Sequence, residues 1–418
     1  ALNATTGGKR NTAVGSYAVT SNTSGDGLTA VGYNALKNNS YGNGSVAIGR
    51  EALEDNTGGD YNIGIGHQAL YENTTGSHSQ AIGAWALKVQ TTGNSNVAIG
   101  HYCLDANTTG AELIGIGKNC LTANTTASNN VGIGVECLQS NTTGSSNNGL
   151  GKEALRYCTT GDKNNAFGLW ALKEVTTGDG NCAFGNLAGR SITTGTNNVA
   201  IGTNSLYSNT TDNNQVAVGT NALYACAGGL YNTAVGHYTG NGITTGGYNV
   251  LVGGEAGTAV TTGADNTIVG TMAGDAVTTG SKNTALGRAA LGATTTASEN
   301  TAVGYFALLA NTTGAKNTAV GYQALNASTT ANNSSAFGYE ALKSNTTGQS
   351  NHAFGYEALK SVTTGSYNVA LGRKAGDSIT TGDNNIIIGY DSAASSDTVS
   401  NEITLGKSSI STLRCQVT

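Results

Sequence analysis

The stretch Asn317-Thr318-Ala319-Val320-Gly321-Tyr322-Gln323-Ala324-Leu325 decides the fold, because its pattern recurs along the 418-residue chain at one fixed distance. Stepping by 17 from Gly321 lands on glycine every time, from Gly15, Gly32 and Gly49 through Gly304 and Gly338 to Gly406. The register holds for 24 glycines without an insertion or deletion. A period this short and strict predicts an all-β parallel β-solenoid, a β-roll with one turn per repeat, in which neighbouring turns bury each other's apolar face. Positions are counted from this ruler glycine. In the repeat opened by Gly304, Tyr305 is +1, Leu308 is +4 and Val320 is +16.

The ruler divides the chain into a partial first turn over 1–10, regular repeats over 11–394, and a degenerate last turn with an exit strand over 395–418, leading toward a missing C-terminal region. Ala1-Leu2 fit the +3 and +4 positions of a glycine lying before the first residue, so earlier turns are expected. Near the other end, Ser395-Ser396-Asp397 replaces Asn-Thr-Thr, and Glu402 takes the last Asn site.

Composition narrows the class. The chain has 62 Gly, no Pro, 11% charged and 6% aromatic residues, far from both a globular enzyme and a charge-rich disordered tail. A net charge of -5 with no basic cluster argues against nucleic acid or an anionic membrane as partner. No apolar run approaches the ~20 residues that span a bilayer. The seven cysteines match no zinc or redox spacing. Cys103, Cys120 and Cys137 stand in a column otherwise filled by Ala and read as small buried thiols. Turns stacked at about 4.8 Å would also bring them near disulfide range.

Position by position, +16 is Val, Ile, Phe or Leu in every copy, and +15 is nearly always Ala or Gly. Adjacent strand residues face opposite sides. The bulky column is therefore expected to point into the core, and the small column to face a neighbouring protomer packed closely outside. Leu251, Ile268 and Ile387 are exceptions in the small column. At +4 Leu is the second core contributor, replaced by Gly at Gly189, Gly240, Gly257, Gly274 and Gly376. In those repeats the residue at +7 is Ile192, Ile243, Val260, Val277 or Ile379 instead of the usual Asn. One apolar group leaves as another enters, as a thin core of conserved volume requires. Asn at +7 leads into Thr-Thr-Gly, a corner in which Asn and Thr cap backbone groups and Gly accepts positive φ. Repeated in register, these side chains should stack as ladders. About half of each turn reads as strand and half as corner.

No catalytic constellation emerges. The histidines His67, His78, His101, His237 and His352 are scattered, and there is no His-Glu-x-x-His, Cys-x-x-Cys or phosphate-binding glycine loop. Gly115-x-Gly117 and Gly253-Gly254 belong to the ruler. Asp26, Asp162, Asp179 and Asp383 follow the corner glycine and read as solvated turn carboxylates, with a calcium contact as the alternative. No cofactor, metal or catalytic residue is expected, and the chain reads as a non-enzyme. Tyr305, Tyr322, Tyr339 and Tyr356 share +1 in four successive turns, with Tyr390 two turns later, and form the one candidate contact surface for a glycan. Sequons such as Asn73-Thr74-Thr75 and Asn311-Thr312-Thr313 read as corners.

The Val-Ala-Ile-Gly cores at 46–49, 97–100 and 199–202 resemble the head repeats of trimeric autotransporter adhesins. That resemblance implies a left-handed parallel β-roll with three chains around one axis. The version at Thr301 to Gly314 looks more like repeats of bacteriophage tail fibres. In such fibres a terminal stretch like Asn401-Glu402-Ile403-Thr404-Leu405-Gly406 followed by Leu413–Thr418 can precede a cleaved intramolecular chaperone. The resemblance covers essentially the whole chain and implies architecture, without a catalytic set to transfer.

The resulting expectation is an intertwined homotrimer whose shaft, at about 4.8 Å per turn, runs roughly 110 Å. Its role would be that of a structural fibre, on a virion as a tail fibre in host attachment, or extracellular. A host surface glycan or receptor is the expected partner beyond the chain itself. The alternatives are a bacterial cell-surface adhesin head, a self-assembling extracellular filament and, more remotely, an ice-binding solenoid using its Thr ladders.

Overall fold

The computed structural model describes residues 6–412 and divides into two units, Ala1–Asn213 and Asn214–Thr418. The first holds twelve strands, from β1 (Thr12–Val14) to β12 (Val199–Ile201); the second holds twelve more, from β13 (Val216–Val218) to β24 (Ile403–Leu405). Within the first unit each strand pairs in parallel with the next, residue i opposite i+17, as in Thr12↔Thr29 and Asn165↔Cys182. The second unit repeats the rule, as in Thr301↔Thr318 and Thr318↔Ser335. Each unit is thus a parallel β-solenoid of 17-residue turns. Among the described residues no helix is long and apolar enough to cross a membrane.

A strand takes only three residues per turn, at +14 to +16, not the half that the sequence suggested. The rest is coiled more tightly because left-handed residues recur at fixed places. Gln323 (+2) has φ 51°, Leu325 (+4) φ 50° and Lys316 (+12) φ 60°. Each such non-glycine residue costs about 1–2 kcal/mol in isolation. Cross-turn hydrogen bonds hold them: Leu325 N–H donates to Ala341 O at 3.0 Å and Gln323 N–H to Tyr305 O at 3.0 Å. The ruler glycine is fixed by two demands. Gly321 has φ 140°, and a Cβ there would lie 2.6 Å from the carbonyl carbon of Gly338 in the next turn. Its N–H donates to Val303 O at 2.8 Å, tying each turn to the one before.

The strand faces are the reverse of the expectation. The middle residue (+15) is buried in every strand except β1 and β24, whereas the bulky +16 residue is buried in none. Ala319 is fully buried, while Val14 is 58% exposed and Leu371 52%. The reason is the depth of the core. Leu at +4 reaches across from the opposite wall to the strand of its own repeat. A Cβ added at Gly64 would lie 3.2 Å from Leu53 Cγ, and one at Gly115 would lie 3.2 Å from Leu104 Cδ1. With that Leu in place only a methyl or a hydrogen fits at +15. The small column therefore faces inward because the core is thin, and it is the bulky column that looks out.

The same geometry explains the departures. Leu251, Ile268 and Ile387 are fully buried, each in a repeat whose +4 residue is glycine, Gly240, Gly257 or Gly376. A Cβ at Gly240 would meet Leu251 Cδ1 at 2.7 Å, and one at Gly376 would meet Ile387 Cδ1 at 3.0 Å. Ile192, Ile243, Val260, Val277 and Ile379 are also fully buried, as volume conservation required. The cysteine column follows suit. Cys103, Cys120 and Cys137 are free and buried, and each repeat carrying one has glycine at +15; a Cβ at Gly115 or Gly132 would lie 2.6 Å from the thiol sulfur of Cys103 or Cys120.

In the first unit two asparagine-rich columns run inside the turns, at +7 and +13; in the second the +13 column continues, while +7 is asparagine only at Asn311 and Asn345. At +7, Asn39 Nδ2 donates to Asn22 Oδ1 (3.1 Å), Asn56 to Asn39 (2.8 Å) and Asn73 to Asn56 (2.7 Å). Each also donates to the +10 carbonyl of its own corner, as Asn73 does to Gly76 O at 2.9 Å. At +13, in the second unit, Asn317 N–H donates to Asn300 Oδ1 (3.0 Å), Asn317 Nδ2 to Ala331 O (2.7 Å), and Ser334 N–H to Asn317 Oδ1 (3.0 Å). These amides are fully buried and satisfy backbone groups that would otherwise be stranded. The +7 ladder matches the expectation; the +13 ladder was not foreseen. Glu402 ends the latter: its N–H donates to Asn385 Oδ1 at 3.0 Å, and its carboxylate accepts from Ser395 and from Thr404 Oγ1 (2.7 Å). Beyond it Ile410 N–H donates to Lys407 O at 2.9 Å, closing a turn where an exit strand was expected. Ala1-Leu2 and Leu413–Thr418 lie outside the described residues.

Candidate functional site

Position +1 follows the ruler glycine, is turned out of the core and recurs in register, so like residues there must stack. Tyr305, Tyr322, Tyr339 and Tyr356 do so in the second unit, with ring centroids 5.6, 5.0 and 5.1 Å apart and planes within 4°, 9° and 8°. All four are exposed. The column continues with arginine at both ends. The Arg288 guanidinium lies 5.7 Å from the Tyr305 centroid and donates to its hydroxyl at 3.1 Å. Arg373 lies 5.6 Å from the Tyr356 centroid and 5.1 Å from that of Tyr390, whose hydroxyl it contacts at 2.9 Å. Such cation–π contacts contribute about 0.5–1 kcal/mol each at exposed sites. The ring faces are thus taken up by one another and by the two guanidinium groups, and edges and hydroxyls are what the row offers to solvent.

Beside the ladder, +2 and +5 carry a chain of ion pairs. Glu340 accepts from Lys343 at 2.7 Å and from Lys360 at 2.6 Å; Glu357 accepts from Lys360 at 2.9 Å and from Lys374 at 3.4 Å. These ammonium groups hold both carboxyls below the usual glutamate range. In the first unit Glu153 plays the same part between Arg156 (3.0 Å) and Lys173 (2.9 Å). Burial pushes its carboxyl up, but the hydrogen bonds from Lys173 and Arg156 outweigh that and bring it to about 2.

The second feature is the outward +16 column. In the first unit it includes Ile48, Ile82, Ile99, Phe184 and Ile201; in the second, Val235, Leu286, Phe337, Phe354, Leu371 and Ile388, all exposed. Where two phenylalanines follow each other they stack: Phe337 and Phe354 at 5.1 Å and Phe167 and Phe184 at 4.5 Å. A contiguous apolar stripe repeated in turn after turn is the kind of surface that marks a protein–protein interface.

The remaining sequence candidates have structural partners. Asp26, Asp162, Asp179 and Asp383 each accept a backbone N–H from the preceding turn, from Lys9 (2.6 Å), Ser145 (2.6 Å), Asp162 (2.7 Å) and Ser366 (2.7 Å). Among the described residues no group of three His, Cys, Asp or Glu is placed to hold a metal ion. His67 and His101 pack edge-on against Trp85, and His237 against Tyr238. The sequon residues Asn73 and Asn311 are fully buried with their amides donated inward. The first Thr of each corner donates its hydroxyl to the next turn, as Thr74 does to Thr91 O (2.9 Å) and Thr312 to Thr329 O (3.0 Å).

Sequence reasoning found the tyrosine row but not its arginine ends, although Arg288 and Arg373 stand in the same column. It found the +16 column and gave it the wrong face. No protein-family model matches the chain, and no curated protein matches it.

Proposed function

We propose that this chain is the structural shaft of an attachment fibre, assembled as a parallel homotrimer, acting outside the cell or on a virion in the manner of a phage tail fibre. The observation that carries the reading is the exposed +16 column. Each turn presents a Val, Ile, Phe or Leu to solvent, at the spacing of the strands, and in both units. A surface with that repeat is matched turn by turn only by another surface with the same repeat, which a second and third copy of this chain supply. Three rather than two is what the likeness to trimeric fibre and adhesin repeats suggests. Burying these side chains against one another would contribute about 25 cal/mol per Å² of apolar surface removed from water. That is ample when summed over so many turns.

A repeat-built trimer has a mechanical use: it holds a binding surface at a distance, and it can carry that surface on its own side. Sedimentation equilibrium of the purified chain tests the assembly. Three times the chain mass is expected, falling to a single chain when Phe337 and Phe354 are replaced by Glu. A monomer at all concentrations removes the reading.

A further inference from the structure

The geometry points to a pyranose-binding notch in the second unit, at the Arg288 end of the tyrosine ladder, lined by Asp275, Arg288 and Phe306. It deepens the attachment reading and rests on it, by naming where a host sugar would be held. The notch exists because one repeat lacks side chains that its neighbours have. In the repeat of Gly287, positions +2 and +5 are Ala289 and Gly292, whereas the following repeat has Phe306 and Leu309; +6 is alanine in both, at Ala293 and Ala310. The loss opens a depression of about 530 Å³ between Met272 and Asp275 on one side and Phe306 and Leu309 on the other. That volume lies within the ~300–1,000 Å³ of small-molecule sites.

The groups around it select the ligand. Asp275 is half-buried, and its Oδ1 would lie 3.6 Å from a Cβ built on Gly292, so the carboxylate borders the gap. Burial pushes this carboxyl up, against the backbone hydrogen bonds of Asp275 and Ala276. The Arg288 guanidinium also lines the depression, 6.0 Å from the Phe306 centroid, and already donates to Tyr305. A purely apolar guest would desolvate this half-buried carboxylate further and offer it no hydrogen bond beyond those of the backbone, at a cost. An anion would be opposed by Asp275, and a cation by Arg288. A neutral ring with one apolar face and several hydroxyls answers all of these demands. Its C–H face lies on Met272, Phe306 and Leu309, hydroxyls donate to Asp275, and ring or hydroxyl oxygens accept from Arg288. The tyrosine ladder itself, with its ring faces covered, supplies flanking hydroxyls and not the platform.

The test is saturation-transfer NMR of the full chain with D-glucose, D-galactose and N-acetyl-D-glucosamine as probes. Saturation of the ring protons of at least one probe is expected. It should fall at least about tenfold in Gly292→Asn and in Asp275→Asn, and persist in Tyr339→Ala. Gly292→Asn is a native-like change, since Asn326 occupies that position in a later repeat and donates to Phe306 O at 3.1 Å. An unchanged melting curve would separate filling of the notch from unfolding. No transfer from any probe to the parent chain, or equal transfer in Gly292→Asn, overturns the inference. A trimer that takes up no sugar removes the notch and leaves the shaft. A monomer that takes up sugar removes the shaft and leaves the notch.

Discussion

The two faces of one three-residue strand behave as different regions of the molecule. On the inner face Ala or Gly sits under Leu at +4, and every atom there is limited by the opposite wall. On the outer face Val, Ile, Phe or Leu at +16 meets only its like in the turns above and below and is otherwise open to solvent. Bulk therefore stands where space is unlimited, and smallness where it is scarce. In a fold this thin, hydrophobicity alone does not say which side of a strand is inside; volume does.

The largest effects should come from upsetting that volume balance. Leu308→Gly empties the core of one repeat and should cost about 3–5 kcal/mol, while Ala319→Leu overfills it and should cost about 1–3 kcal/mol. Combined, the two changes recreate the Gly240/Leu251 arrangement. Urea unfolding of the four proteins should give a favourable coupling of about 2 kcal/mol. Additive costs would mean that +4 and +15 do not share one space.

Next in size is the buried ladder between the faces. Asn317→Ala leaves the Ala331 carbonyl and the Ser334 N–H without their partners, at about 1–3 kcal/mol for each stranded group. Asn317→Asp keeps the acceptor for Ser334 but loses the donor to Ala331. A loss smaller than about 1 kcal/mol in the alanine variant would show that water replaces the amide.

A charged residue can also be held against the wall, and its contribution is readable through pH. The Glu153 carboxyl lies at about 2 against an ordinary 4.5. A group depressed on folding adds stability that is fully present above its unfolded value and disappears as pH falls through the folded one. The melting temperatures of the parent chain and Glu153→Gln should therefore differ at pH 7 and converge between roughly pH 4.5 and 2. Parallel curves over that window would contradict the role given to Lys173 and Arg156.

The smallest effect on a single chain belongs to the outer face. Val320→Glu should alter the unfolding of a dissociated chain by no more than about 1 kcal/mol, yet weaken association. If it unfolds the chain as Ala319→Leu does, the assignment of inside and outside is wrong.

Much of this was legible in the sequence. The ruler glycines set the turn and register, and the exchange of Leu for Gly at +4 against Ile or Val at +7 marked two inward columns. What misled was the strand itself, since alternation separates two faces without saying which is buried. The deciding clue was present but unread. Leu251, Ile268 and Ile387 each share a repeat with a glycine at +4, and Gly115, Gly132 and Gly149 each share one with a cysteine at +3. Residues that trade volume must touch. The left-handed Leu at +4 could not be read, because leucine seldom adopts that conformation unless tertiary contacts force it. The notch beside Asp275 is a local lapse in two columns, invisible until those columns are known to be neighbours.

Seventeen-residue bookkeeping also governs how such a chain can change over time. Because each turn meets the next through the same positions, excising residues 317–333 would set Val303 beside Phe337 and Asn300 beside Ser334, pairings of kinds already found elsewhere in the unit. Losing a single residue from the same stretch would put every later column out of step. The molecule is thus nearly indifferent to gain or loss of whole repeats and intolerant of anything smaller, so that its reach can evolve by recombination in quanta while its cross-section stays frozen.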